Sequence, residues 1–209
     1  MKRITSMLLV ILLCLTLAPT IALPAAEAAS GDVAINSTNF PDANFRSYVS
    51  DNFDTNGDDV LSAAEIAAVT KMYAGSKSIT TLKGVEYFTA LTDLYCENNQ
   101  LTALDVSANT ALVSLGCNQN QLTTLDVSDT TLKMLFCESN RLTTLMLGTN
   151  LTYLRCNDNR LTALDVSKNT ALTELFCYNN QLTALNVRNS TGMTHLRCYG
   201  NSIDVLDMT

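Results

Sequence analysis

"LYCENNQLTALDVSANTA" occupies residues 94–111, and close variants follow as "LGCNQNQLTTLDVSDTT" at 115–131 and "LFCYNNQLTALNVRNSTG" at 175–192. Aligning the chain on Cys96, Cys117, Cys137, Cys156, Cys177 and Cys198 gives spacings of 21, 20, 19, 21 and 21 residues. All six copies carry L-x-x-L-x-C-x-x-N-x-L-x-x-L, with only Met193 and Ile203 in place of leucine. Each cysteine is followed three residues later by an asparagine: Asn99, Asn120, Asn140, Asn159, Asn180 and Asn201.

A period near 20 with this spacing of leucines marks a leucine-rich-repeat solenoid. One unit cannot bury its apolar stripe alone, whereas stacked units share a continuous core. The expected class is an α/β solenoid with a parallel β-sheet on the concave face. Side chains alternate along a strand, so Leu94 and Cys96 point inward while Tyr95 and Glu97 face solvent. Shortening is confined to the stretch after the last leucine: seven residues follow Leu104, six follow Leu125 and five follow Leu145. Deletions there trim the convex connection and spare the strand side.

Stacked parallel strands lie about 4.8 Å apart, a spacing that does not suit the crossed geometry of a disulfide. Six cysteines in an exported chain would ordinarily suggest three bridges. A straight column argues instead for reduced thiols packed as small hydrophobes. Tetrahedral zinc is disfavoured for the same reason, since a column does not gather four sulfurs around one point.

The units resemble those of bacterial internalin-type surface proteins, most closely the internalin J type with cysteine on the strand. "LTALDVSANTA" and "LTALDVSKNTA" match the second half of that repeat, and "ITTLKGVEYFTALTDL" (79–94) resembles its entry unit. The resemblance covers roughly residues 78–209. It implies that the recurrent asparagines hydrogen-bond the backbone of adjacent coils, and that adhesion or surface contact is the natural class of function.

Residues 1–28 read as a cleaved signal peptide. Met1-Lys2-Arg3 is basic, Met7 to Leu17 is apolar, and Ala26-Glu27-Ala28 has small residues at the cleavage positions. Its removal moves the net charge from −7 to −8, which disfavours nucleic acid and anionic membrane as partners. Residues 29–77 read as a small helical cap and 78–209 as the solenoid, whose last unit ends without a capping segment.

Within the cap, "FPDANFRSYVSDNF" (40–53) is spaced for one helix and "AEIAAVTKMY" (64–73) for a second. Between them, "DTNGDDVLSAAE" (54–65) lies on the twelve-residue EF-hand frame. Asp54, Asn56, Asp58, the Val60 carbonyl, Ser62 through a water, and Glu65 occupy the six ligand positions for Ca²⁺. Asp59 stands where glycine usually supplies a positive φ, a conformation that aspartate tolerates better than most residues. The expected affinity is the weak, extracellular kind.

The outward strand positions place Tyr95, Phe136, Tyr153, Arg155, Phe176, Tyr178, Arg197 and Tyr199 on the concave face. Aromatic residues and arginine are the types enriched in binding hot spots. These features predict a secreted or cell-surface module that binds a protein or glycan. A spacer segment of a larger envelope protein is the alternative. His195, the one histidine, lacks the recurring nucleophile and base of a catalytic site, and no enzymatic activity is expected.

Overall fold

The computed structural model describes residues 31–208, so the signal-peptide reading of residues 1–28 lies outside them. The molecule is a stack of coils with a helical cap at its amino end. Seven short strands form one sheet: β3 (Lys71–Tyr73), β4 (Asp93–Tyr95), β5 (Ser114–Gly116), β7 (Met134–Phe136), β9 (Tyr153–Arg155), β10 (Glu174–Phe176) and β12 (His195–Arg197). Neighbours pair in parallel with equivalent residues side by side, as in Leu94↔Leu115↔Leu135↔Leu154↔Leu175↔Leu196.

The core follows from that register. Leu94, Leu115, Leu135, Leu154 and Leu175 and Cys96, Cys117, Cys137, Cys156 and Cys177 are fully buried, while Leu196 and Cys198 in the last coil are partly buried. Burying a leucine side chain fully contributes about 1.5–3 kcal/mol, and each coil repeats the contribution. All six thiols are unbridged. Burial pushes the thiols of Cys117 and Cys177 up to about 12, and those of Cys96, Cys137 and Cys156 also rise, again chiefly through burial. These five cysteines are therefore held as neutral, unreactive packing groups.

The asparagines complete the stack. Asn120 donates to the carbonyls of Cys96 (3.0 Å) and Cys117 (3.1 Å) and accepts from the amide of Leu101 (3.0 Å). Asn140, Asn159, Asn180 and Asn201 repeat the pattern one coil later each time, accepting from Leu122, Leu142, Leu161 and Leu182. The residue before each asparagine sits at positive φ: Asn98, Gln119, Ser139, Asp158, Asn179 and Gly200. This sharp turn ends the strand and aims the amide into the stack.

On the convex side the return segments pair only in part. β6 (Thr124–Asp126) runs beside β8 (Thr144–Met146), and β11 (Ala184–Asn186) beside β13 (Val205–Asp207). The longer returns at 105–110 and 165–170 form turns instead, and bury Asn109 and Asn169 against backbone carbonyls of the preceding coil.

The cap differs from the sequence expectation in one respect. The outgoing helix was expected to run through "AEIAAVTKMY", but α2 spans only Ala63–Ala68. Val69 ends it, and Lys71–Tyr73 becomes the first strand of the main sheet, pairing with β4. β-branched Val69 and Thr70 favour extended backbone, and Met72 is buried between exposed Lys71 and Tyr73. Ala74 takes the place of cysteine in this coil and accepts from Asn99 (2.8 Å).

Helix α1 (Ala43–Phe53) buries Phe45, Tyr48 and Val49. The Tyr48 hydroxyl accepts the Tyr73 amide at 2.9 Å and so covers the outer edge of β3, where an open strand edge would invite pairing with another chain. Gly84, at φ 108°, sits under Phe40, where a Cβ would collide with the ring. Among the described residues no helix is long and apolar enough to cross a membrane.

Candidate functional site

The strand register sorts the concave side chains into three columns. The middle column reads Tyr73, Tyr95, Gly116, Phe136, Arg155, Phe176 and Arg197. Beside it run Lys71, Asp93, Ser114, Met134, Tyr153, Glu174 and His195. Beyond the cysteines lie Gly75, Glu97, Asn118, Glu138, Asn157, Tyr178 and Tyr199. All eight residues expected on this face are on it.

They fall into three groups. Tyr73 stacks on Tyr95 at 5.6 Å between centroids and 6° between planes. The Tyr95 hydroxyl meets the Ser114 hydroxyl at 2.8 Å, and its ring lies over Gly116, where a Cβ would stand only 2.6 Å from it. Glycine at 116 is thus what lets Tyr95 lie flat. Tyr73 was missed in the sequence because its stretch was read as helix; its signal was the alternation in "KMYA".

The second group is continuous. Tyr153 is tilted against Phe136 (5.2 Å) and Phe176 (5.8 Å). Arg155 lies over Phe176 at 5.0 Å and over Tyr153 at 5.4 Å, and its Nε donates to the Tyr153 hydroxyl. Arg197 covers Phe176 from the next strand at 5.4 Å. Phe176 is consequently buried, at 8% exposure. Sequence reasoning counted it among the contact residues, and its actual place is beneath two guanidinium groups. The third group is the pair Tyr178 and Tyr199, stacked at 4.7 Å and 8°, with Tyr199 exposed at 60%.

Two carboxylates flank these groups. Glu97 folds over Gly75, and a side chain at 75 would displace its carboxylate. Glu138 is half-buried, and burial raises its pKa. Each keeps one buried oxygen without a hydrogen-bond partner. His195 is exposed on β12, with Nδ1 beside the Thr194 hydroxyl at 3.0 Å.

The Asp54–Glu65 loop turns through two residues at positive φ. Asp59 adopts φ 61° and Gly57 φ 72°. Asp54 accepts amides from Gly57 (2.8 Å) and Asp59 (3.0 Å), and Asp58 accepts that of Val60 (3.0 Å). Val60 and Leu61 form β2, which pairs antiparallel with β1 (Val33–Ala34). Glu65 closes a capping box with Ser62 and accepts from the Thr55 amide and hydroxyl. Those bonds, the Thr55 hydroxyl's first, hold its carboxyl down to about 2. Among the described residues no three His, Cys, Asp or Glu side chains gather closely enough to hold a metal. Calcium would therefore require Glu65 to leave Thr55 and Ser62 and turn inward.

A parallel sheet on stacked coils, with an aromatic and cationic concave face, defines a leucine-rich-repeat interaction scaffold. The family model for leucine-rich repeats (two copies) matches residues 149–190. Internalin J of Listeria monocytogenes serotype 4b is 43% identical over 70 residues, which is 34% of this chain and 8% of that protein. The functional domain of Listeria InlJ, described as including a cysteine ladder, superposes with a TM-score of 0.71 at 36% identity. That match covers 82% of this chain and 44% of the InlJ domain, so the chain spans less than half of its relative. Internalin C2 of the same species matches at TM-score 0.54 and 20% identity over 86% of this chain and 92% of its own, a likeness of fold. In its repeats and its fold the chain is similar to the internalin-type leucine-rich-repeat proteins.

Proposed function

We propose that the chain is a secreted or cell-surface module that recognises a protein or glycan through its concave face. The observation that carries this reading is the pair of groups on adjoining columns of one face, Phe136 with Tyr153, Arg155 and Arg197, and the Tyr178–Tyr199 stack. Rigid aromatic groups lose little freedom on binding and are suited to hot spots. The likeness to internalin J supports placement at the cell surface. A triple variant, Phe136→Ala, Tyr178→Ala and Tyr199→Ala, is to be compared with the parent on glycan arrays and cell-surface extracts. Loss of capture with an unchanged melting curve supports the reading, and equal capture by both proteins rejects it.

The loop is proposed to take one Ca²⁺ through Asp54, Asn56, Asp58, the Val60 carbonyl, Ser62 by way of a water, and Glu65. Its fit depends on the rotation of Glu65 described above. Affinity on the order of 10⁻⁴–10⁻³ M is expected for an unpaired extracellular site. Titration calorimetry tests this directly, and no heat at millimolar Ca²⁺ removes the ion from the account.

A further inference from the structure

We infer that Arg155 and Arg197, bracketing Phe176, form a subsite for carboxylates of an extended acidic peptide segment. The inference rests on the concave-face reading and gives it a ligand class.

The two arginines occupy one column of the sheet, on β9 and β12, with Phe176 of β10 between them. Two strand steps separate them, about 9–10 Å at the usual spacing. Each guanidinium lies over the Phe176 ring, at 5.0 Å and 5.4 Å. Arg155 is fixed further by its Nε donating to the Tyr153 hydroxyl, which leaves its two terminal amino groups as outward donors. Holding an arginine this way reduces the freedom lost on binding, and the planar fork suits bidentate carboxylate recognition.

Among the described residues neither arginine forms an ion pair. The ion pairs among the described residues are Lys71–Asp93 and Arg188–Asp207. Lys71, the other strong cation in the three columns, is thus already matched. The Arg155 charge acts on the Glu138 carboxyl, lowering its pKa against the effect of burial, but the two form no ion pair, and Glu174 on β10 forms none with either arginine. The bracket is therefore a positive spot on a face whose amino-terminal half carries Asp93, Glu97 and Glu138.

Peptide is favoured over acidic sugar by the same geometry. A pyranose stacks on an open ring face, and here Phe176 is 8% exposed beneath the guanidinium groups. Tyr153 is tilted between Phe136 and Phe176 with its hydroxyl taken by Arg155. In a peptide held as an extended polyproline-II helix, carboxylates three residues apart share one face about 9 Å from each other, close to the two strand steps between Arg155 and Arg197.

The test is fluorescence anisotropy with labelled decaglutamate, decaserine and an oligogalacturonate of similar charge, using the full chain. Decaglutamate is expected to bind in low salt and to weaken as salt rises. Arg155→Gln with Arg197→Gln should weaken it by about tenfold, with melting behaviour checked and Arg197→Gln alone as an exposed-site control. Arg155→Lys with Arg197→Lys keeps the charge and should still lose several-fold. Equal binding of glutamate and serine peptides would overturn the inference. So would tighter binding of the uronate, an unchanged Gln/Gln variant, or full affinity in the Lys/Lys variant. A surface partner lost by the Phe136, Tyr178 and Tyr199 variant but kept by the Gln/Gln variant would remove this inference and leave the broader reading standing.

Discussion

Asp42 and Thr80 join the cap to the solenoid. One oxygen of Asp42 accepts the Phe45 amide at 2.9 Å and caps α1, while the other accepts the Thr80 amide at 2.8 Å and its hydroxyl at 2.6 Å. Burial alone would raise the carboxyl's pKa, yet the bonds from Thr80 and Phe45 leave it below the usual aspartate value.

Replacing Asp42 with alanine removes a helix cap and orphans Thr80 at once. A loss of about 2–4 kcal/mol is expected, larger than for Thr80→Val. Urea unfolding of the three proteins checks this. A cost for Asp42→Ala below that of Thr80→Val would mean that the joint is held elsewhere.

Asn159→Ala tests the ladder. The buried amide serves the carbonyls of Cys137 (3.0 Å) and Cys156 (3.2 Å) and the amide of Leu142 (2.9 Å). Leaving these without partners should cost about 2–4 kcal/mol. Exposed Asn98→Ala, by contrast, should change little beyond the strain at its turn. Similar melting curves for both variants would count against the ladder as a stabilising device.

Thiol labelling separates the cysteine column by position. Cys198, partly exposed, should react with maleimide in the native protein. Cys96, Cys117, Cys137, Cys156 and Cys177 should be protected until unfolding, since burial holds them protonated as well as hidden. Peptide mapping by mass spectrometry gives the order, and rapid native labelling of Cys137 would contradict the packing.

Glu65 gives the cap a pH dependence. Its pKa falls from 4.5 to about 2 on folding, so its contribution is complete above about 4.5 and is lost as the pH drops towards 2. The melting temperature of Glu65→Gln should therefore lie below that of the parent at neutral pH and converge with it in acid. A constant gap across that range would exclude the carboxylate as the cause.

The sequence disclosed the repeats well because their signal is redundant. Every coil restates its leucines, cysteine and asparagine, and the inward alternation follows from one strand. The first coil was obscured because it has none of those markers: Met72 and Ala74 stand for leucine and cysteine, and Lys77 for asparagine. The columns of the concave face were legible too, whereas the burial of Phe176 was not. Spacing says which side a residue faces, and only packing reveals that neighbouring arginines fold over it. The left-handed turn before each asparagine left a trace in the Asn, Gln, Ser, Asp and Gly that occupy it, but no glycine marks it consistently.

The asparagine ladder also bears on how such a chain can change over generations. Every coil borrows one acceptor from its successor and lends one to its predecessor, through identical atoms at each junction. A gene segment encoding one whole coil can therefore be duplicated or deleted, and the new neighbours will still match. Length, and with it the number of concave positions open to selection, becomes a quantity that recombination can adjust in single steps.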